Sequence, residues 1–223
     1  MGKKVLLSFV GMRDPYADWW LIRLWKRLRG KALATEGSVL TVCREMHPDI
    51  VCLFPSSKKK ATSRKNQTED RGKRLVKILG SWKDGPKEYH MLPLEVDNIT
   101  DQVKLYPCFR DNVLKVLKLL TKENSLEGYE FTFNLSSGSK QMNEIAQLYL
   151  TNSPITCQYC QCAAPKYIKE GDKRVRPVSP APLEETTLLR QIDSNSDKYY
   201  LKSPRSFFDI KHCDCCDKLQ KIR

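Results

Sequence analysis

No apolar run in these 223 residues reaches the length needed to cross a bilayer, which excludes a membrane-spanning protein of the helical kind and makes no membrane partner the expectation. No leader is expected either. Met1-Gly2-Lys3-Lys4 passes straight into the strand-like run VLLSFVG with no small-residue cleavage site after it, so the expectation is a cytoplasmic protein. The GxxxxGK[ST] spacing of a Walker loop is absent, and with it the usual P-loop nucleotide site. Acid is scarce: 26 Asp and Glu face 39 Lys and Arg, a formal charge of +13. That balance favours a polyanionic partner, namely nucleic acid, nucleotides or an anionic surface, although part of the excess sits in solvated runs such as Ser56 to Lys65. Histidine is rarer still, and neither His47 nor His90 has an acid–base partner near it in sequence. Nine cysteines, an odd number without secretory context, read as reduced thiols, buried or metal-bound, rather than as a disulfide framework.

What is present is organised around Tyr129 to Leu150. Tyr129 to Leu135 reads as a buried strand, Ser136-Ser137-Gly138-Ser139 as a tight polar turn, and the stretch from Lys140 as a helix carried by Met142, Ile145, Leu148 and Tyr149. A strand, a turn and a helix in that order aim backbone N–H groups and a helix N-terminus at one spot, which suits an anion. Lys140 adds a full charge, and the small hydroxyl residues let a ligand approach the backbone. The plain alternative is a strand–turn–helix link with a serine N-cap.

Other segments fall into line around it. Val5 to Val10 reads as a first strand buried on both faces. Gly11-Met12-Arg13-Asp14-Pro15 follows it: glycine for close backbone approach and Arg13 to fork onto a phosphate, or else Arg13 and Asp14 as a local ion pair. Asp18 to Leu33 interleaves three tryptophans with Arg and Lys at helical spacing. It reads as a packing helix, a nucleic-acid grip or a membrane-surface helix. A helix over Ser38 to Met46, a strand over Ile50 to Phe54, a helix over Thr68 to Trp82 and a strand over Tyr89 to Val96 come next. A long helix from about Asp101 to Leu120 precedes the central segment; strands over Ile155 to Ala163 and Arg174 to Val178 follow it. Such alternation predicts an α/β, Rossmann-like, doubly wound and mostly parallel six-stranded sheet with a short C-terminal extension. Both singled-out loops follow strands, where such sheets bind ligands. Residues 1–178 form the domain; residues 179–223, with Pro180 and Pro182 and a short helix over Leu183 to Ile192, form a linker and extension toward an effector or a dimer contact.

LLSFVGMRDPY, GSVLTVCREMHPDIVCLFPSS and NLSSGSKQM resemble the motifs of the CARF domain, the CRISPR-associated Rossmann-fold sensor, over about Lys3 to Val178. The third motif of that family often reads N-[LV]-[ST]-[SG]-G-T-x-x-M; here it runs from Asn134 to Met142, with Ser139 keeping the hydroxyl of the usual threonine. The resemblance implies a homodimer that binds a cyclic oligoadenylate across its two-fold axis and controls an effector, in type III CRISPR antiviral signalling or RNA-repair regulation, with no cofactor and no metal. The implied ligand-binding residues are Ser8, Gly11, Met12, Arg13, Asp14, Asn134, Ser136, Ser137, Gly138, Ser139, Lys140 and Met142. Asn134 reads as an anchor for the turn rather than a reacting group. Some relatives cut the ring without metal; Lys140 and Ser8 are the candidates for that chemistry here.

The effector is not legible. Arg205 to His212 approximates the R-x₄₋₆-H motif of a companion ribonuclease, but too little chain surrounds it for such a domain. The segment from Ser203 loosely resembles the lead-in to the AAA+ module of CARF-bearing transcription activators of the RNA-repair type, which would make this chain the sensor part of a longer protein. Cys157, Cys160 and Cys162 with His212, Cys213, Cys215 and Cys216 match no standard zinc spacing. Strand alternation puts Cys160 and Cys162 on one face and Cys157 on the other, so buried thiols are expected there.

Overall fold

Six strands and four helices alternate along the chain in a computed structural model that describes residues 2–16, 36–60, 67–121, 126–153, 155–163 and 172–179. The tryptophan-rich segment, the helix expected after Pro182 and the cysteine-rich tail lie outside the described residues. The strands are β1 (Lys3–Phe9), β2 (Ile50–Phe54), β3 (Glu88–Met91), β4 (Tyr129–Asn134), β5 (Cys157–Cys162) and β6 (Val175–Val178). The helices are α1 (Ser38–Met46), α2 (Glu69–Gly80), α3 (Gln102–Leu120) and α4 (Lys140–Thr151).

The sheet order is β3-β2-β1-β4-β5-β6. The first five strands are parallel, and β6 returns antiparallel along β5. This is the doubly wound arrangement expected from the alternation. β1 and β2 are continuous apolar runs because both of their faces are covered. Val5, Leu7 and Phe9 point into one core, shared with Phe109, Val113 and Val116 of α3 and Met142, Ile145 and Ala146 of α4. Leu6 and Val10 point into the other, with Val39, Leu40 and Val42 of α1 and Leu75 and Leu79 of α2. At the upper end of β1, the Phe9 ring packs against Phe54, Phe109 and Phe133 with centroids 5.2–6.2 Å apart.

Local chemistry caps the starts of α3 and α4 but not those of α1 and α2. Asp101 caps α3 by accepting the Lys104 N–H, and Ser139 caps α4 by accepting the Met142 N–H. His47 closes α1 in the left-handed region at φ 48°. Thr68 precedes α2 without capping it; its hydroxyl accepts the Ser56 N–H instead, tying α2 to the end of β2. β3 is shorter than expected, ending at Met91: Leu92 and Leu94 still donate to the Leu53 and Pro55 carbonyls, but Pro55 has no N–H to return a bond to Leu92, and a bridge between Leu94 and Ser56 follows the gap.

Candidate functional site

β1 and β4 lie side by side, yet the chain reaches β2 and β3 on one side of β1 and β5 on the other. That reversal leaves the loops after β1 and β4 diverging at the C-terminal edge of the sheet, where open α/β sheets hold ligands. A cleft of about 490 Å³ opens there. Gly11, Met12, Arg13 and Asp14 form one wall, and Ser136 to Ser139 with Met142 form the other. Ser38, Ser56, Thr68 and Ile99 complete it. Those four were not among the expected residues: each stands in a separate loop or first turn, and only the closed sheet brings them together.

Asp14 is the knot of the site. It is 2% exposed, and its carboxylate accepts from the Gly11 N–H at 2.9 Å, the Ser137 hydroxyl at 2.6 Å and the Val39 N–H at 3.3 Å. One side chain thus joins the loop after β1, the first turn of α1 and the turn before α4. Arg71 of α2 donates from Nη1 to the Asp14 carbonyl at 2.9 Å. Burial holds the Asp14 carboxyl above the usual carboxylate range, against the pull of Ser137, the two N–H groups and Arg71. Asp14 is therefore not the ion-pair partner of Arg13, whose side chain is exposed. Gly37 is required beside it, since a Cβ there would drive into the Asp14 carboxylate.

The turn after β4 is fixed from below. Asn134 is fully buried; its Oδ1 accepts the Ser136 N–H at 3.0 Å and its Nδ2 donates to the Ser8 hydroxyl at 3.1 Å, which is the anchoring role expected of it. Ser8 also donates to the Phe9 carbonyl at 2.8 Å. With 0% exposure and both hydrogen-bonding directions used, Ser8 lies beneath the cleft and is not among its lining residues. The Ser136 hydroxyl accepts the Cys162 N–H at 2.5 Å and so ties the turn to β5. Gly138 has φ +88°, a conformation open to glycine, and lies directly over Phe9. Lys140 stands 86% exposed with its Nζ 3.7 Å from Glu144, at the rim and not among the cleft's lining residues.

The structure keeps the strand cysteines apart as alternation requires. Cys157 packs with Tyr159 on the α3/α4 side, while Cys160 and Cys162 pack on the α1/α2 side. Burial pushes the Cys157 and Cys160 thiols up to about 12. Among the described residues no group of three or more His, Cys, Asp or Glu is arranged to hold a metal ion, and no helix is long and apolar enough to cross a membrane.

No family model matches the chain, and no curated protein matches it. Solved structures do. The chain is similar to Enterococcus italicus Csm6 bound to cyclic hexa-2′-fluoro-hexa-dAMP, with a TM-score of 0.56 and 18% identity. The match covers 86% of this chain and 45% of that one. At this identity the likeness establishes the Rossmann-like α/β fold, and it agrees with the CARF resemblance of the sequence.

Proposed function

We propose that the chain is a cyclic oligoadenylate sensor of the CARF kind, binding its ring in the cleft between the two loops, shared between two copies, and relaying that event to an effector. The observation that carries this reading is the cleft itself: the two loops carrying the CARF-like motifs line opposite walls of one hollow at the switch point. The Csm6 likeness, to a structure holding a cyclic oligoadenylate analogue, supports the ligand class. Gly11 and Met12 offer backbone and an apolar side chain to a base. Arg13 and Lys140 supply positive charge to the phosphates, and the Ser136–Ser139 turn offers N–H and hydroxyl donors. Asp14, buried in the cleft wall, and Asn134 and Ser8, buried beneath the turn, hold these groups in place.

Ring cleavage has less to stand on. Its two candidates stand apart: Lys140 is at the rim, and Ser8 is engaged beneath the turn with the Phe9 carbonyl and Asn134. Calorimetric titration of the full chain with cyclic oligoadenylates of several ring sizes, followed by chromatography of the ligand, tests both readings. One intact ring recovered per dimer is the expected result. Linear fragments would establish a ring nuclease, and no binding of any ring would leave only the fold.

A further inference from the structure

The proposed ring is a polyanion, yet the wall of its cleft holds a carboxyl group. Asp14 lines the cleft and is 2% exposed. Its Oδ2 accepts from the Ser137 hydroxyl at 2.6 Å and the Gly11 N–H at 2.9 Å, and its Oδ1 from the Val39 N–H at 3.3 Å. All three donors are neutral. Among the described residues no cation forms an ion pair with this carboxyl. Arg71 of α2 uses Nη1 on the Asp14 carbonyl and acts on the carboxyl only through space. Arg13, on the same loop, is exposed, and Lys140 of α4 stands at the rim beside Glu144. Cys43 of α1 is the other titratable neighbour; burial and the Asp14 charge hold its thiol above the ordinary range, so it stays neutral.

A phosphate entering this cleft meets a like charge in a buried wall, where repulsion is screened far less than in water. A proton on Asp14 removes that repulsion, and it also releases a donor. While Asp14 is ionised, the single hydrogen of the Ser137 hydroxyl is engaged on Oδ2. With a proton on Oδ2 the bond reverses and Asp14 donates to the Ser137 Oγ. The Gly11 N–H keeps the other lone pair of Oδ2, and the Val39 N–H keeps Oδ1. The Ser137 hydrogen is then free for an acceptor in the cleft, which Ser137 lines. Burial already favours the neutral acid. We infer that the cleft takes its anion together with a proton, which Asp14 draws from solvent as the ring enters. The inference rests on the ring-binding reading of the cleft and makes that binding sensitive to pH.

The test is calorimetric titration of the full chain with cyclic oligoadenylates in two buffers of widely different ionisation enthalpy, over a pH series above the ordinary carboxyl value of 3.8. The binding enthalpy should differ between the buffers by the amount that corresponds to uptake of up to about one proton per copy of the chain. Affinity should weaken as pH rises, by up to about tenfold per pH unit for each Asp14 facing the ring. Asp14→Asn holds the same ring among the same other side chains, so uptake by adenines or histidines survives in it and can be subtracted. It should lose the Asp14 share of the uptake and bind with a flatter pH profile. Wild-type binding with equal enthalpies in both buffers and a flat pH profile would overturn the inference and leave the ring reading intact, with no variant needed. Equal uptake by wild type and Asp14→Asn would place the proton elsewhere and overturn it too. Binding of no ring at any pH would overturn the ring reading and this inference with it.

Discussion

A methyl group at position 138 has nowhere to go. The Cβ of an alanine there would lie 2.9 Å from the Phe9 Cβ, and φ of +88° is strained for any L side chain. Left-handed strain of about 1–2 kcal/mol and overpacking of about 1–3 kcal/mol act together. Gly138→Ala should therefore cost about 2–5 kcal/mol, read as a lower urea midpoint, and ring binding should weaken with it because the turn is lifted off its floor. Asp14 makes a different prediction. Its carboxyl is raised above the ordinary 3.8, so the fold binds that proton more tightly than the unfolded chain does. The stability it contributes is complete below the ordinary value and is lost as pH rises through the raised one. Asp14→Asn removes that dependence. The difference in melting temperature, wild type minus variant, should fall as pH rises above the ordinary carboxyl value of 3.8, whereas parallel curves would show that the carboxyl titrates normally. Neither role was legible beforehand. Glycine after a strand is a visible signal, but the partners of Asp14 lie 25 and 123 residues away, and no local pattern records them.

Elements were more legible than contacts, for a physical reason. β1, β2, α1 and α3 announce themselves because burial on one or two faces leaves a period in the apolar residues. β3 failed in the reading of its length because Leu92 and Leu94 continue the apolar pattern while Pro55, just after β2, has no N–H to return a bond to them. The switch-point cleft was legible as two loops following strands, but its third side, Ser38, Ser56 and Thr68, depends on sheet order. One element carries an interior flaw. Pro107 lies in the second turn of α3 and cannot donate to the Val103 carbonyl. Val103 is 41% exposed, so water can serve that oxygen. Pro107→Ala should restore the bond and stabilise the domain by about 1–2 kcal/mol in urea unfolding. A loss instead would mean that the pyrrolidine ring packs better than its missing bond costs.

At the scale of the molecule, the cleft is too small for the ligand proposed for it. About 490 Å³ is the size of a site for a drug-like molecule and well short of a ring of several nucleotides. Met12, 50% exposed on the loop at its mouth, is a large apolar side chain left at the surface where a second copy would meet it. If two copies share one ring, ring binding and dimer formation are thermodynamically linked. Sedimentation velocity should then show the dimer tightening at least tenfold with saturating ring; an unchanged dimer constant would place the ring within one copy.

The last strand has a consequence of its own. β6 is four residues long, VRPV, and covers β5 on the side away from the cleft. An outer strand ordinarily offers a row of open N–H and C=O groups on which another chain can grow a sheet. Here Pro177 removes one donor from the middle of that row, and exposed Arg176 beside it repels a like strand. Among the described residues the sheet thus ends with a selvedge, a finished margin that resists fraying into intermolecular fibre on that side.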